Sequence, residues 1–108
     1  MAKRSITSSL PARKDRIVLV STAAYSPAHH ALLEQLVARN IELFCAAGVD
    51  CASWEDAMDA VRDSYAHERA RDDVLMTTQH EGEPVEEVVA YAKNYPGNEH
   101  STIEVIEV

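Results

Sequence analysis

Hydrophobic residues along the chain fall into four short runs, and an amphipathic stretch follows each of the first three. The runs are short and rich in aliphatic residues, which is typical of β-strands. The stretches between them repeat apolar residues every three or four positions, which is typical of helices. This alternation predicts a three-layer βαβαβαβ domain with a mainly parallel four-stranded sheet. The predicted strands span 16–21, 41–46, 73–78 and 102–108, and the predicted helices span 27–39, 54–68 and 85–95.

The placement of charge within these runs predicts the order of the strands. Strands one and three have uninterrupted apolar centres, which favours central positions in the sheet. Strand two carries Glu42, and strand four carries Glu104 and Glu107, which favours edge positions. With right-handed crossovers, the predicted order is 2-1-3-4, a flavodoxin-like arrangement within the Rossmann-like class.

In that order the winding direction reverses between strands one and three, so a ligand is expected at the carboxyl ends of these strands. Three helix N-termini point at the same edge and favour an anion there. The candidate ligand-binding residues are Ser21, Thr22, Cys45, Cys51, Thr78 and His80. Each has a structural alternative, because threonine suits strands, a buried cysteine packs like a small hydrophobe, and a loop histidine can simply be solvated.

The sequence lacks the motifs of the common nucleotide-binding and catalytic sites. Neither G-x-x-x-x-G-K-[ST] nor G-x-G-x-x-G occurs, and G-x-S-x-G is also missing. The first loop, 21–26, has no glycine, which disfavours a flavin phosphate. Threonine stands where a phosphoryl-accepting receiver domain has an aspartate, and two cysteines alone form no zinc site. We therefore predict neither a cofactor nor a metal.

Charge is unevenly distributed along the chain, whose net charge is −8. Residues 1–16 carry +4 and the remainder carries −12. We predict a flexible basic N-terminal tail over 1–15 and a single α/β domain over 16–108. The acidic body disfavours nucleic acid and anionic membranes as partners, and it favours either a basic protein partner or simple solubility. The N-terminal segment lacks the continuous apolar stretch of a secretory signal, so we expect two reduced thiols and a cytoplasmic location.

Two segments carry a resemblance to other proteins. Residues 44–59 contain Cys-x-x-Gly-x-Asp-Cys, and residues 77–89 open with Thr-Thr-x-His. Over most of residues 16–108, the sequence resembles a group of small uncharacterised bacterial proteins. The resemblance implies a bacterial cytosolic domain and no particular activity.

Three hypotheses of function follow from the sequence. The first is a non-enzymatic binding or regulatory domain with an acidic surface, for example one that neutralises a basic partner. The second is a small enzyme, or a binder of small anions, that uses Thr78, His80 and Cys51. The third is a structural subunit of a larger assembly. The sequence leaves the oligomeric state open.

Overall fold

The computed structural model describes residues 15–39, 41–69, 75–96 and 101–108, with side chains left out for 66–69. The chain is α/β, with a four-stranded parallel sheet and three α-helices. A 3-10 turn, Pro27–His29, precedes the first helix. The strands are β1 Arg16–Ser21, β2 Leu43–Gly48, β3 Met76–His80 and β4 Ile103–Glu107. The helices are α1 His30–Ala38, α2 Cys51–Arg69 and α3 Val85–Asn94.

The predicted elements all occur, with shifted boundaries in the middle of the chain. β1 has the predicted limits. β2 and β3 begin two and three residues later than predicted, and α2 begins three residues earlier. The carbonyl of Asp50 accepts hydrogen bonds from the N–H groups of Ser53 and Trp54, so the first turn of α2 starts directly after β2. The proposed tail lies outside the described residues except for Asp15.

The predicted strand order is wrong, because the observed order is β3-β2-β1-β4. Strand two is central and strand three is an edge. The error came from Glu42, which lies just before β2 and pairs with the buried guanidinium of Arg16. A carboxylate with a buried partner is compatible with the interior of a sheet, so Glu42 does not mark an edge. β4 is an edge strand, as predicted.

Alternate residues of the central strands belong to two separate hydrophobic clusters. Ile17 and Leu19 join the cluster that includes α1 and α2, together with Trp54 and Met58. Residues of the opposite parity, such as Val18, join the cluster that includes α3. The helices therefore cover both faces of the sheet, and β1 and β2 are buried between them.

The observed order moves the point at which the winding direction reverses. The chain passes from β1 to β2 and β3 along one face, and it returns over the other face to place β4 beside β1. The reversal therefore lies between β1 and β4. The predicted location between strands one and three is therefore wrong, and so is the flavodoxin-like strand order.

Candidate functional site

The first two candidate residues lie at the reversal point, where the crevice between β1 and β4 is bridged by hydrogen bonds. The N–H and the hydroxyl of Thr22 both donate to the Val108 carbonyl, each at 2.8 Å. The N–H of Val108 donates to the Val20 carbonyl at 3.0 Å. The hydroxyl of Ser21 is buried and donates to the Ala23 carbonyl. Both hydroxyls therefore donate hydrogen bonds to backbone carbonyls.

A rigid turn joins β2 to α2 at the same edge of the sheet. Gly48 has a φ of +90°, and a Cβ at this position would lie 2.3 Å from the Ser21 carbonyl oxygen. Asp50 also has a positive φ, 60°, and its carboxylate accepts the Tyr25 N–H at 3.0 Å. The turn is further fixed by the Val49 N–H, which donates to the Ser21 carbonyl at 2.9 Å. Between these two constrained residues, the side chain of Val49 is 52% exposed.

The structure brings Thr78 and His80 together at the end of β3. Thr78 Oγ1 lies 2.8 Å from His80 Nε2, and His80 Nδ1 lies 3.1 Å from Glu83 Oε1. The imidazole is buried and packs edge-on against Tyr91, with 4.8 Å between ring centroids. Partial desolvation of the phenol raises the pKa of Tyr91, whose side chain is still 40% exposed. A hydroxyl, an imidazole and a carboxylate are therefore joined in one hydrogen-bonded chain.

The two cysteines lie on opposite faces of the sheet. Cys45 belongs to the cluster that includes α3, and Cys51 belongs to the cluster that includes α1 and α2. Cys45 is fully buried, and this desolvation raises the pKa of its thiol although Thr78 hydrogen-bonds to it. The structure therefore places Cys45 next to the chain formed by Thr78 and His80, and it separates Cys51 from both.

Carboxylates surround the carboxyl-end edge of the sheet. We call this set the acidic rim: Asp50, Glu81, Glu83, Glu86, Glu87 and Glu107, all of them exposed. The loops at this edge, 22–26, 49–50 and 81–84, all belong to the described part of the chain. Glu86 and Glu87 lie in the first turn of α3, where the helix dipole favours negative charge. The expected anion would therefore meet carboxylates.

Basic side chains lie towards the opposite edge. Arg16 begins β1, Arg39 follows α1 and bonds both Asp15 and Glu104, and Arg62 donates to the Leu75 carbonyl before β3. The lysines and arginines whose side chains the structure describes are Arg16, Arg39, Arg62 and Lys93. Hydrogen bonding to Glu104 raises the pKa of Arg39. Among the side chains that the structure describes, no lysine or arginine lies at the acidic rim, so the rim charges are of one sign. At the opposite edge Arg16, Arg39 and Arg62 are each paired with carboxylates.

A groove of about 700 Å³ lies between α1 and α2, on the sheet face opposite α3. Small residues of both helices create it, and Tyr25 and Tyr65 also line it. The alanines of the lining are Ala31, Ala38, Ala57 and Ala60. Their short side chains account for the gap between two neighbouring helices.

Sequence reasoning missed three residues at the carboxyl-end edge. Glu83 follows His80 by three residues across a turn, a spacing that brings two side chains together. Val49 lies between Gly48 and Asp50, and the Gly-x-Asp pattern was the available signal of a constrained turn. The contact between Tyr91 and His80 joins α3 to β3, and nothing in the linear pattern indicates it.

In the part of the chain that the structure describes, no group of three His, Cys, Asp or Glu side chains is placed to hold a metal ion. No described helix is both long enough and apolar enough to span a membrane.

Comparisons with known proteins identify the family of the chain. No curated protein and no solved structure matches the chain. A family model described as a domain of unknown function, DUF7684, matches residues 3–108, and the chain therefore belongs to the DUF7684 family.

Proposed function

We propose that this domain binds a cationic protein surface through its acidic rim. The observation that supports the proposal is that the described lysine and arginine side chains all lie towards the opposite edge, so the exposed charges of the rim are of one sign. A surface of one sign attracts an oppositely charged partner from a distance and orients it during encounter. The same field repels nucleic acid and phosphate-bearing ligands.

Exposed apolar side chains at the same edge support a protein as the partner. Val49 is 52% exposed and Val85 is 38% exposed, and both lie among the rim carboxylates. Protein interfaces commonly combine an apolar centre with a polar and charged border. Val49 is presented by a turn with two positive φ values, so little conformational freedom is lost when a partner covers it.

The rim carboxylates also have a purely structural explanation, which covers only some of them. Glu86 and Glu87 stabilise the N-terminus of α3 through the helix dipole. Glu81 lies in the turn before that helix, and Glu107 ends β4. These two lie outside the first turn of any described helix, so helix stabilisation does not account for them.

A titration with a short synthetic peptide of arginines and leucines tests the proposal. Amide chemical shifts of the labelled protein are recorded as the peptide is added. We expect changes at 49–51, 81–87 and 107, and a loss of affinity when salt is raised from about 0.05 M to about 0.5 M. A version of the peptide with arginine replaced by glutamine is the control. Shifts spread evenly over the acidic helix faces, or binding that is insensitive to salt, would contradict the proposal.

The chain of Thr78, His80 and Glu83 supports a second candidate function, which is acyl transfer. A hydroxyl bonded to an imidazole, which is in turn bonded to a carboxylate, is the arrangement of a nucleophile, a base and an orienting group. In this candidate the Thr78 oxygen attacks an acyl carbonyl and His80 takes the hydroxyl proton. The proton then passes to the leaving group, and water releases the acyl group from Thr78.

Hydrolysis of the activated ester p-nitrophenyl acetate tests this second candidate. We expect Thr78→Val and His80→Gln to abolish activity above background and Glu83→Gln to reduce it. Thr77→Val is the matched control, because Thr77 bonds Asp59 on the other face of the sheet. Equal rates for the Thr77 and Thr78 variants, or no acylated Thr78 by mass spectrometry, would exclude the candidate.

A further inference from the structure

We infer that a second copy of this chain pairs with the free edge of β3 and forms a twofold dimer with one continuous sheet. Among the described residues, β3 has a strand neighbour on one side only. Met76 is aligned with Leu43, and its N–H donates to the Glu42 carbonyl. In a parallel ladder the bonded residues alternate, so the N–H and C=O groups of Thr77 and Gln79 point away from β2.

The outward groups of β3 are complementary to themselves. In an antiparallel pairing with a twofold axis at Thr78, Thr77 of one copy lies opposite Gln79 of the other. Each of these two pairs exchanges two backbone hydrogen bonds, because both residues present their N–H and C=O to the edge. All five residues of β3 then take part in the pairing.

The same register also brings complementary side chains of the two copies together on the face of the sheet that α3 covers. Met76 is 42% exposed and Tyr91 is 40% exposed, and Tyr91 packs on His80. The register places Met76 of the second copy opposite His80, and therefore beside Tyr91. A thioether against an aromatic ring is a favourable contact, and the axis repeats it. Two exposed hydrophobic side chains of each copy are thus covered together.

Charge distinguishes this edge from the other edge of the sheet. β3 carries no Asp, Glu, Lys or Arg, whereas the five residues of β4 include Glu104 and Glu107. Charged side chains on an edge strand oppose pairing with another chain, and an edge without them favours it. Two copies of an acidic chain can therefore approach at β3 more readily than at β4. In the dimer the strands run antiparallel, so the two acidic rims face opposite directions.

Sedimentation equilibrium of the full chain tests the inference. We expect a mass of about 24 kDa, twice the 11.9 kDa of one chain, at concentrations of tens of micromolar. Gln79→Pro removes an outward N–H of β3, and the expected result is a monomer at the same concentrations. Val105→Pro is the matched control, and it is expected to leave the dimer intact. The N–H of Val108 donates to β1, and bonded residues alternate along β4, so the N–H of Val105 points outward from the sheet.

A second pair of variants tests the side-chain contact independently of proline. We expect Met76→Lys to weaken the dimer at least tenfold, whereas Val105→Lys, at a similarly exposed edge position, leaves it unchanged. Circular dichroism confirms that each variant folds. A wild-type monomer at about 1 mM, a Gln79→Pro dimer, or equal effects at β3 and β4 would overturn the inference.

Discussion

The guanidinium of Arg16 donates a hydrogen bond from Nε to the carboxylate of Glu42 where β1 and β2 begin, and the two side chains are 5% and 12% exposed. A second nitrogen, Nη1, donates to the Ala92 carbonyl at 2.8 Å. The guanidinium carbon lies 5.5 Å from the centroid of the Tyr95 ring. One side chain therefore joins the starts of two central strands to the end of α3.

Removal of one partner from this pair is expected to destabilise the fold strongly. Arg16→Met leaves the largely buried Glu42 carboxylate without its cation, and the expected cost is about 3–5 kcal/mol of unfolding free energy. Urea denaturation measures it. The double variant Arg16→Met/Glu42→Leu is expected to recover part of the loss, since neither charge then remains. A cost below about 1 kcal/mol for Arg16→Met would show that the pair is solvated.

The two glycines with positive φ give a matched test of the rigid turn. Gly48→Ala places a Cβ against the Ser21 backbone, whereas a Cβ at Gly82 meets nothing within 4 Å. Gly82→Ala is expected to cost about 1–2 kcal/mol from backbone strain alone. Gly48→Ala is expected to cost at least about 2 kcal/mol more, because backbone atoms must shift. Equal costs in thermal denaturation would show that the turn is adaptable.

The packing of α1 is tested at Leu36, which is fully buried between the helices and the sheet. Leu36→Ala is expected to cost about 2–5 kcal/mol, because it removes buried methyl groups and leaves a cavity. Leu32→Ala is the control, since Leu32 is half-buried and is expected to cost less. Chemical denaturation compares the two variants. A larger cost at Leu32 would contradict the described register of α1.

Burial of the Cys45 thiol predicts both slow alkylation and a dependence of stability on pH. The raised pKa keeps the native thiol neutral, so its contribution to stability is complete below the pKa of an unfolded cysteine, about 8.5. As the pH rises further, the unfolded chain loses this proton first and stability falls. The pKa of the Tyr91 phenol is also raised, so its ionisation is expected to lower stability in the same way at higher pH. We expect Cys45→Ala to show a shallower decline above pH 8.5 than the wild type.

Iodoacetamide at neutral pH provides the companion measurement. Both cysteines are buried, and we expect each to react only through opening of the native structure. Added urea should therefore accelerate both reactions. Rapid reaction of Cys51 in the native protein would contradict its described burial.

The elements of the fold could be predicted because their signals are local. β1 is a continuous aliphatic run with the predicted limits, and the first helical segment begins at Pro27, as predicted. The strand order could not be predicted, because it depended on the partner of Glu42. That partner is Arg16, 26 residues away, and no local pattern relates the two.

The candidate site was predictable only in part for the same reason. Thr78 and His80 are two residues apart on one strand, so their shared face follows from strand geometry. The separation of Cys45 from Cys51 depends on which face of the sheet each residue joins. The single sign of the rim charges becomes visible only when the helix ends and strand ends are placed together.

The affinity of a rim variant for the arginine–leucine peptide tests the central claim most directly. Glu86→Gln/Glu87→Gln removes two charges from the acidic rim, and Glu34→Gln/Asp63→Asn removes two exposed charges from α1 and α2. Both variants have the same net charge, so an effect of total charge would be equal. We predict that the rim variant raises the peptide Kd about fivefold and that the helix variant changes it by less than about twofold. An equal change in both variants would contradict binding at the acidic rim.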